Sequence, residues 1–132
     1  MRRLAVVAVP MGDPAGIGPE IVLKAVAHGD LAGKATTVVV GDRLLLHKTA
    51  SDCAVPLMFD AVVETDAACL EAVERGVDAI LYHLPLVDLD AFSYGRIDAM
   101  CGKAAYESIA RATRLIMAGI ADAMATPPLH KE

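Results

Sequence analysis

Residues 4–28 read LAVVAVPMGDPAGIGPEIVLKAVAH, and the order of residue types in that stretch decides the fold class. Leu4 to Val9 is a continuous apolar run closed by Pro10, the pattern of a strand buried on both faces. Pro19 to His28 reads as a helix, with Ile21, Val22, Ala25 and Val26 on one side and Gly29 as its stop. Between the two lies GDPAGIGPE, residues 12–20, with three glycines, two prolines and two carboxylates. A buried strand that enters a glycine-rich loop and leaves as a helix is the opening of an α/β unit.

The same alternation continues outward from it. Thr36 to Asp42 is β-branched and apolar and reads as the second strand, followed by a short helix over 43–50. Val55 to Phe59 (VPLMF) reads as a third strand, Asp66 to Arg75 as a helix on Ala67, Leu70 and Val73, and Ala79 to Tyr82 as another strand. Residues 88–98, DLDAFSYGRID, are polar and irregular and read as a surface excursion or arm. The longest helix runs from Ala99 to Ala118, with Ala105, Ile109, Ala112 and Ile116 at helical spacing and Asp98 placed to cap it. ADAMATPP, residues 121–128, is a last buried strand, and LHKE starts whatever comes next. The expected fold is α/β, an open and mostly parallel sheet with helices on both faces and right-handed crossovers. Residues 1–132 form one such unit, and the lack of a closing element after TPPLHKE reads as a chain truncated inside a larger fold.

Composition narrows the class. A length of 132 residues suits one domain, and 55% hydrophobic with 4% aromatic and no Trp means a core of Ala, Val, Leu, Ile and Met. The net charge is −5 and no basic cluster extends beyond Arg2 and Arg3, which argues against nucleic acid. Cys53, Cys69 and Cys101 are odd in number and form no C-x-x-C pair. They read as small core residues in a reducing compartment, not as a disulfide framework or a zinc site. The first apolar run breaks at Pro10 without a cleavage site, and no run approaches the ~20 apolar residues of a membrane span. The expectation is a cytoplasmic protein with no membrane partner.

The loop itself has a chemical reading. A glycine-rich turn leading into a helix N-terminus offers backbone N–H groups and the positive end of the helix dipole to an anion. Gly16 and Gly18 allow close approach, and Pro19 suits a first turn where an N–H is dispensable. Asp13 at the mouth can hold a hydroxyl, a metal-bound water or a cation. The glycines do not form G-x-G-x-x-G, and no Lys-Ser or Lys-Thr makes a P-loop. On glycine content alone, a tight crossover loop accounts for the stretch as well as an anion site does.

The whole string goes further. MGDPAGIGPEI, residues 11–21, closely resembles the opening motif of the 4-hydroxythreonine-4-phosphate dehydrogenase (PdxA) family, and GIGPEI is similar to the first loop of isopropylmalate and isocitrate dehydrogenases. From Tyr94 onward, YGRIDAMCGKAAYE and the closing TPPLHKE resemble that family's G-[KR]-x-x-A-x-x-G-x-A-A-Y segment and its T-x-P-[IVL]-x-K-E close. The resemblance covers essentially the whole chain. It implies a protein more than twice this length, with an isopropylmalate dehydrogenase-like fold, two α/β domains around a cleft, and homodimers whose site draws on both subunits. It implies NAD (or NADP) and a divalent metal such as Zn, Mg or Co. The reaction implied is oxidation, with decarboxylation, of a small phosphorylated four-carbon hydroxy acid, by default 4-hydroxythreonine 4-phosphate in pyridoxal phosphate synthesis. Paralogues acting on threonate or erythronate 4-phosphate are the alternative, and a non-catalytic anion-binding chain is a further one. A phosphate acyltransferase shares the broad architecture but not the opening motif.

The family's Gly-His-Thr-Glu, its metal-binding histidines and its phosphate-binding residues lie beyond Glu132, so the resemblance assigns no metal ligand and no catalytic residue here. The cleft candidates are Asp13, Gly16, Gly18, Thr126, His130 and Lys131, with Pro128 and Glu132 in the same segment. His83 sits in an HLPL that echoes a family metal-ligand segment but precedes it in order, without a second ligand at suitable spacing. His28 and His47 read as solvated, and Tyr106 as a packing residue.

Overall fold

The computed structural model describes residues 4–29, 31–96 and 98–127. Its strands are β1 (Ala5–Pro10), β2 (Ala35–Gly41), β3 (Ala61–Val63), β4 (Ala79–His83) and β5 (Ala123–Met124), and its helices are α1 (Gly18–His28), α2 (Arg43–Cys53), α3 (Asp66–Glu74) and α4 (Ala99–Met117). The five strands form one sheet in the order β3-β4-β2-β1-β5, every pair parallel. β1 and β2 pair in register from Ala5 with Ala35 to Pro10 with Val40.

The strand order explains the layers. From β1 to β2 to β3 the chain moves toward one edge, and from β3 to β4 to β5 it moves back across. Crossovers of one hand must then put the first helices on one face and the later ones on the other. The core divides that way. Val39, Leu81, Leu45 and Leu46 pack with Val22 and Leu23 under α1 and α2. Val6, Ala8, Val38, Val40, Ile80 and Tyr82 pack with Cys69, Ala72, Val73, Ala112 and Leu115 under α3 and α4. Among the described residues no helix is long and apolar enough to cross a membrane.

Several expectations need correction. VPLMF is not a strand. Pairing with β4 runs from Ala61 to Val63, while Val55, Leu57 and Phe59 pack against the α1 and α2 core without joining the ladder. β5 is two residues long rather than eight, flanked by bonds from Asp122 N–H to Val6 O and from Ala125 N–H to Ala8 O. Pro127 has no N–H to continue the ladder. The buried stripe of α4 is Cys101, Ala104, Ser108, Ala112 and Leu115, turned away from the expected Ala105, Ile109 and Ile116. That rotation leaves Tyr106, expected to pack, 68% exposed. α1 buries Val22 and Leu23 while Ile21 and Ala25 lie outward, and α3 buries Cys69 and Ala72 instead of Ala67 and Leu70.

Candidate functional site

In an all-parallel sheet every strand delivers its chain to the same carboxyl edge, where open α/β folds place ligands. The loop after β1, the start of α2, the long connection after β4 and the segment after β5 all meet there. The first is built tightly. Met11 is fully buried, its N–H donates to Val40 O at 2.9 Å, and its Sδ accepts from Asp42 N–H at 3.4 Å. Gly41 faces that sulfur, and a Cβ there would lie 2.7 Å from it. Gly12 takes a φ of 77°, a left-handed conformation that favours glycine, as the chain turns out of the sheet.

Asp13 then organises the turn. Its Oδ1 accepts Ala15 N–H at 2.9 Å, and its carbonyl accepts Gly16 N–H at 3.0 Å. Its Oδ2 has no donor among the described residues. Gly16 is exposed and has only ordinary contacts near its Cβ position. Gly18 is different: it is buried, and a Cβ there would lie 2.5 Å from Met11 O and 3.2 Å from the Pro127 ring. The need for glycine at 18 therefore comes first from the loop folding back onto its own start at Met11 O, and second from its contact with Pro127 after β5. That contact places Thr126, which is exposed, beside the entry to α1.

α1 differs from the other α-helices in how it begins. Asp42 caps α2 by accepting from Leu44 and Leu45 N–H, Thr65 caps α3 through Ala68 N–H, and Asp98 caps α4 through Cys101 N–H at 2.8 Å. α1 has Ile17 at its N-cap position and no side-chain cap, with Ile17 60% exposed. Its orphan N–H groups and positive dipole end are left to a solvent or ligand oxygen. Glu20 in the first turn pairs with Lys24, which holds its carboxyl below the usual range.

The other candidates fall as follows. Asp13, Gly16, Gly18 and Thr126 gather at the carboxyl edge, whereas Pro128, His130, Lys131 and Glu132 lie outside the described residues. His83 ends β4, and its Nδ1 accepts Arg43 N–H at 2.9 Å. His28 and His47 are exposed. Among the described residues no group of three His, Cys, Asp or Glu could hold a metal ion. Cys69 and Cys101 are buried and Cys53 partly so, all as free thiols. Burial first, and then Asp98 and Asp13, push the Cys101 thiol up to about 11, so it stays a neutral packing group beside the loop.

Two features of this edge escaped the sequence reading. Asp42 is 2% exposed and accepts four backbone N–H groups, Oδ1 from Leu44 and Leu45 and Oδ2 from Leu86 and Val87. Its position before RLLL was a legible N-cap signal; its second oxygen, which gathers a distant segment, was not. The connection after β4 also turns inward. Leu86, Val87, Leu89 and Phe92 pack into the α1 and α2 core, and Gly95 N–H donates to Ala15 O at 2.9 Å.

Comparison with known proteins adds to this geometry. The family model described as "Pyridoxal phosphate biosynthetic protein PdxA" matches residues 33–132. A D-threonate 4-phosphate dehydrogenase of Pectobacterium atrosepticum is 42% identical over 127 residues, which cover 96% of this chain and 38% of that protein. Crystal structures of 4-hydroxythreonine-4-phosphate dehydrogenases superpose as well. One from Burkholderia phymatum does so with a TM-score of 0.80 at 29% identity, covering 98% of this chain and 38% of that one. One from Klebsiella pneumoniae does so with a TM-score of 0.76 at 33% identity, covering 99% and 38%. The chain thus spans about 38% of the length of these relatives.

Proposed function

The chain belongs to the PdxA family, and from that premise we propose that it supplies one wall of the active-site cleft of a dehydrogenase acting on a phosphorylated four-carbon hydroxy acid. Residues 1–132 are on this reading one α/β unit of a two-domain enzyme that works as a homodimer. The observation that carries the site is the uncapped start of α1 behind Asp13, at the carboxyl edge of the sheet. Backbone N–H groups there suit a phosphate or carboxylate oxygen, and the open Oδ2 of Asp13 suits a hydroxyl. Gly16 leaves the approach unobstructed, and the packed Gly18 keeps the loop from yielding when a ligand presses on it.

A bound NAD (or NADP) would supply the acceptor for the hydride on the carbon that bears the secondary hydroxyl; with the hydroxyl proton passed to a base or water, a ketone would be left beside a carboxylated carbon that could then lose CO₂. Loop 13–18 is the part of this chain that would hold an anionic group of cofactor or substrate. A divalent metal belongs to the family's chemistry, but the described residues do not make a site for one, so no step is derived through it. Between substrates, D-threonate 4-phosphate is favoured over 4-hydroxythreonine 4-phosphate. The 42% identical relative is named for the former, and the structures at 29% and 33% identity for the latter.

The test is an assay of the full-length protein with NAD or NADP and a divalent cation, following NADH or NADPH absorbance with each substrate. The expected result is a kcat/KM at least about tenfold higher on D-threonate 4-phosphate. The reverse preference would restore 4-hydroxythreonine 4-phosphate, and no oxidation of either would sink the proposal. Asp13→Ala should lower turnover with a melting temperature within about 2 °C of wild type. Unchanged turnover, or a loss of turnover that only tracks a large fall in melting temperature, would make the loop structural only.

A further inference from the structure

The connection after β4 does more than return the chain to α4. Its root is held at Asp42, the N-cap of α2, whose Oδ2 accepts Leu86 N–H and Val87 N–H at 2.8 Å each. Its middle is turned inward by Phe92, 9% exposed within the α1 and α2 core. Its tip is held at the opposite end of α2. Tyr94 Oη donates to Asp52 Oδ2 at 2.9 Å, Lys48 Nζ reaches the same oxygen at 2.9 Å, and the Lys48 ammonium lies 5.3 Å from the centre of the Tyr94 ring. Phe92 meets that ring edge-on, with centroids 4.9 Å apart.

An 11-residue helix is about 16 Å long, so root and tip are fastened a full helix apart. Directly beyond the tip, Gly95 N–H donates to Ala15 O at 2.9 Å, inside the Asp13 turn. Ala15 N–H is already given to Asp13 Oδ1, so this residue is held from both sides and the carboxylate direction is set between them. Without Tyr94 the tip would regain conformational freedom, and the Gly95 bond would have to order it again.

We propose that residues 86–95 form a strap stretched along α2, and that Tyr94 is a positioning residue for the Asp13 loop. This rests on the reading of that loop as cleft wall. Tyr94 is 45% exposed, so its removal takes little from the core and separates positioning from stability.

The experiment is amide hydrogen exchange on the full-length protein, with steady-state kinetics on the same samples. In Tyr94→Ala, exchange in the segment holding Ala15 and Gly16 should rise roughly fivefold or more, while β1 and β2 amides stay protected. KM should rise in parallel with kcat held within about twofold. Tyr94→Phe keeps the ring against Phe92 and Lys48 and should give a smaller rise. Faster exchange over 89–95 with no change at 15–16 would overturn the proposal. If Tyr94→Ala loosens the whole sheet, Asp52→Ala makes the same test from the other partner, and no rise at 15–16 there overturns the strap. A wild-type protein without dehydrogenase activity would sink the functional reading while the exchange data still decide this one.

Discussion

The two faces of β1 are not treated alike. Val6 and Ala8 point into the α4 side and are fully buried, whereas their neighbours Val7 and Val9 point into the α1 side and are only half-buried. On the first side α4 lays Ala112 and Leu115 against the sheet with no exposure. On the second, α1 stands off from the strands and leaves an apolar groove of about 270 Å³, bounded by Val7, Val9, Ile21, Val26, Thr37 and Ala125. One face of the strand is closed and carries the fold. The other is open along α1, from Thr126 and Pro127 at one end to Ala35 and Ala79 at the other.

Truncating the same kind of helical residue on each side tests that difference. Leu115→Ala removes a fully buried side chain from the closed face and should cost about 3–4 kcal/mol in denaturant unfolding of the chain. A loss below about 1 kcal/mol would show that the α4 side repacks freely and that the closed face is not what holds the sheet.

How far each side was legible follows from the same contrast. The β1 and β2 runs are covered on both faces, β1 fully on its α4 side and by half on the other, so their apolar continuity announced strands and an α/β class correctly. Asp98 announced its own helix by a local rule. The third strand was misplaced because Val55, Leu57 and Phe59 alternate like a strand, yet that alternation serves packing under α2, and pairing starts only when Asp60 N–H reaches Ala79 O. The helix stripes were rotated because apolar residues such as Ile21 and Leu70 face outward, and hydropathy alone does not reveal which side of a helix a sheet will occupy. At the site, the glycine-rich loop showed its shape in the sequence. Its partners did not, since Pro127 against Gly18 and Gly95 on Ala15 are contacts between remote segments with no periodic signal.

A smaller effect should separate the closed face into its apolar and polar parts. Tyr82 is fully buried at the end of β4, where its Oη donates to Asp66 Oδ1 at 2.6 Å and accepts from Arg111 at 2.6 Å. Arg114 also reaches Asp66, at 3.2 Å, so α3, β4 and α4 are joined through one carboxylate. The Tyr82 hydroxyl, ahead of Arg114, holds the Asp66 carboxyl below its usual range. Tyr82→Phe should cost about 1–2 kcal/mol at neutral pH, the remaining arginine contacts offsetting part of the loss. A carboxyl with a lowered folded-state pKa contributes stability above its unfolded value of about 4, and that contribution is lost as pH falls through the folded value. The gap between wild type and Tyr82→Phe should therefore be largest at neutral pH and narrow below about pH 4. A gap that stays constant down to pH 2–3 would mean that the hydroxyl acts independently of the carboxylate's charge, through its contact with Arg111.

The least effect is expected on the open face. Ile21 is 41% exposed on the rim of the groove, so Ile21→Ala gives up only part of a side chain's burial. The exchange also gains about 0.4 kcal/mol in helix propensity, because Ala loses no χ1 freedom in a helix and Ile does. The net loss in the chain should stay below about 1 kcal/mol, several-fold less than for Leu115→Ala. Unfolding both variants under one set of conditions gives the ratio directly. Equal losses would mean that the groove closes in solution and brings Ile21 into contact with Val7 and Val9. The asymmetry between the two faces of β1 would then be absent from the folded chain in water.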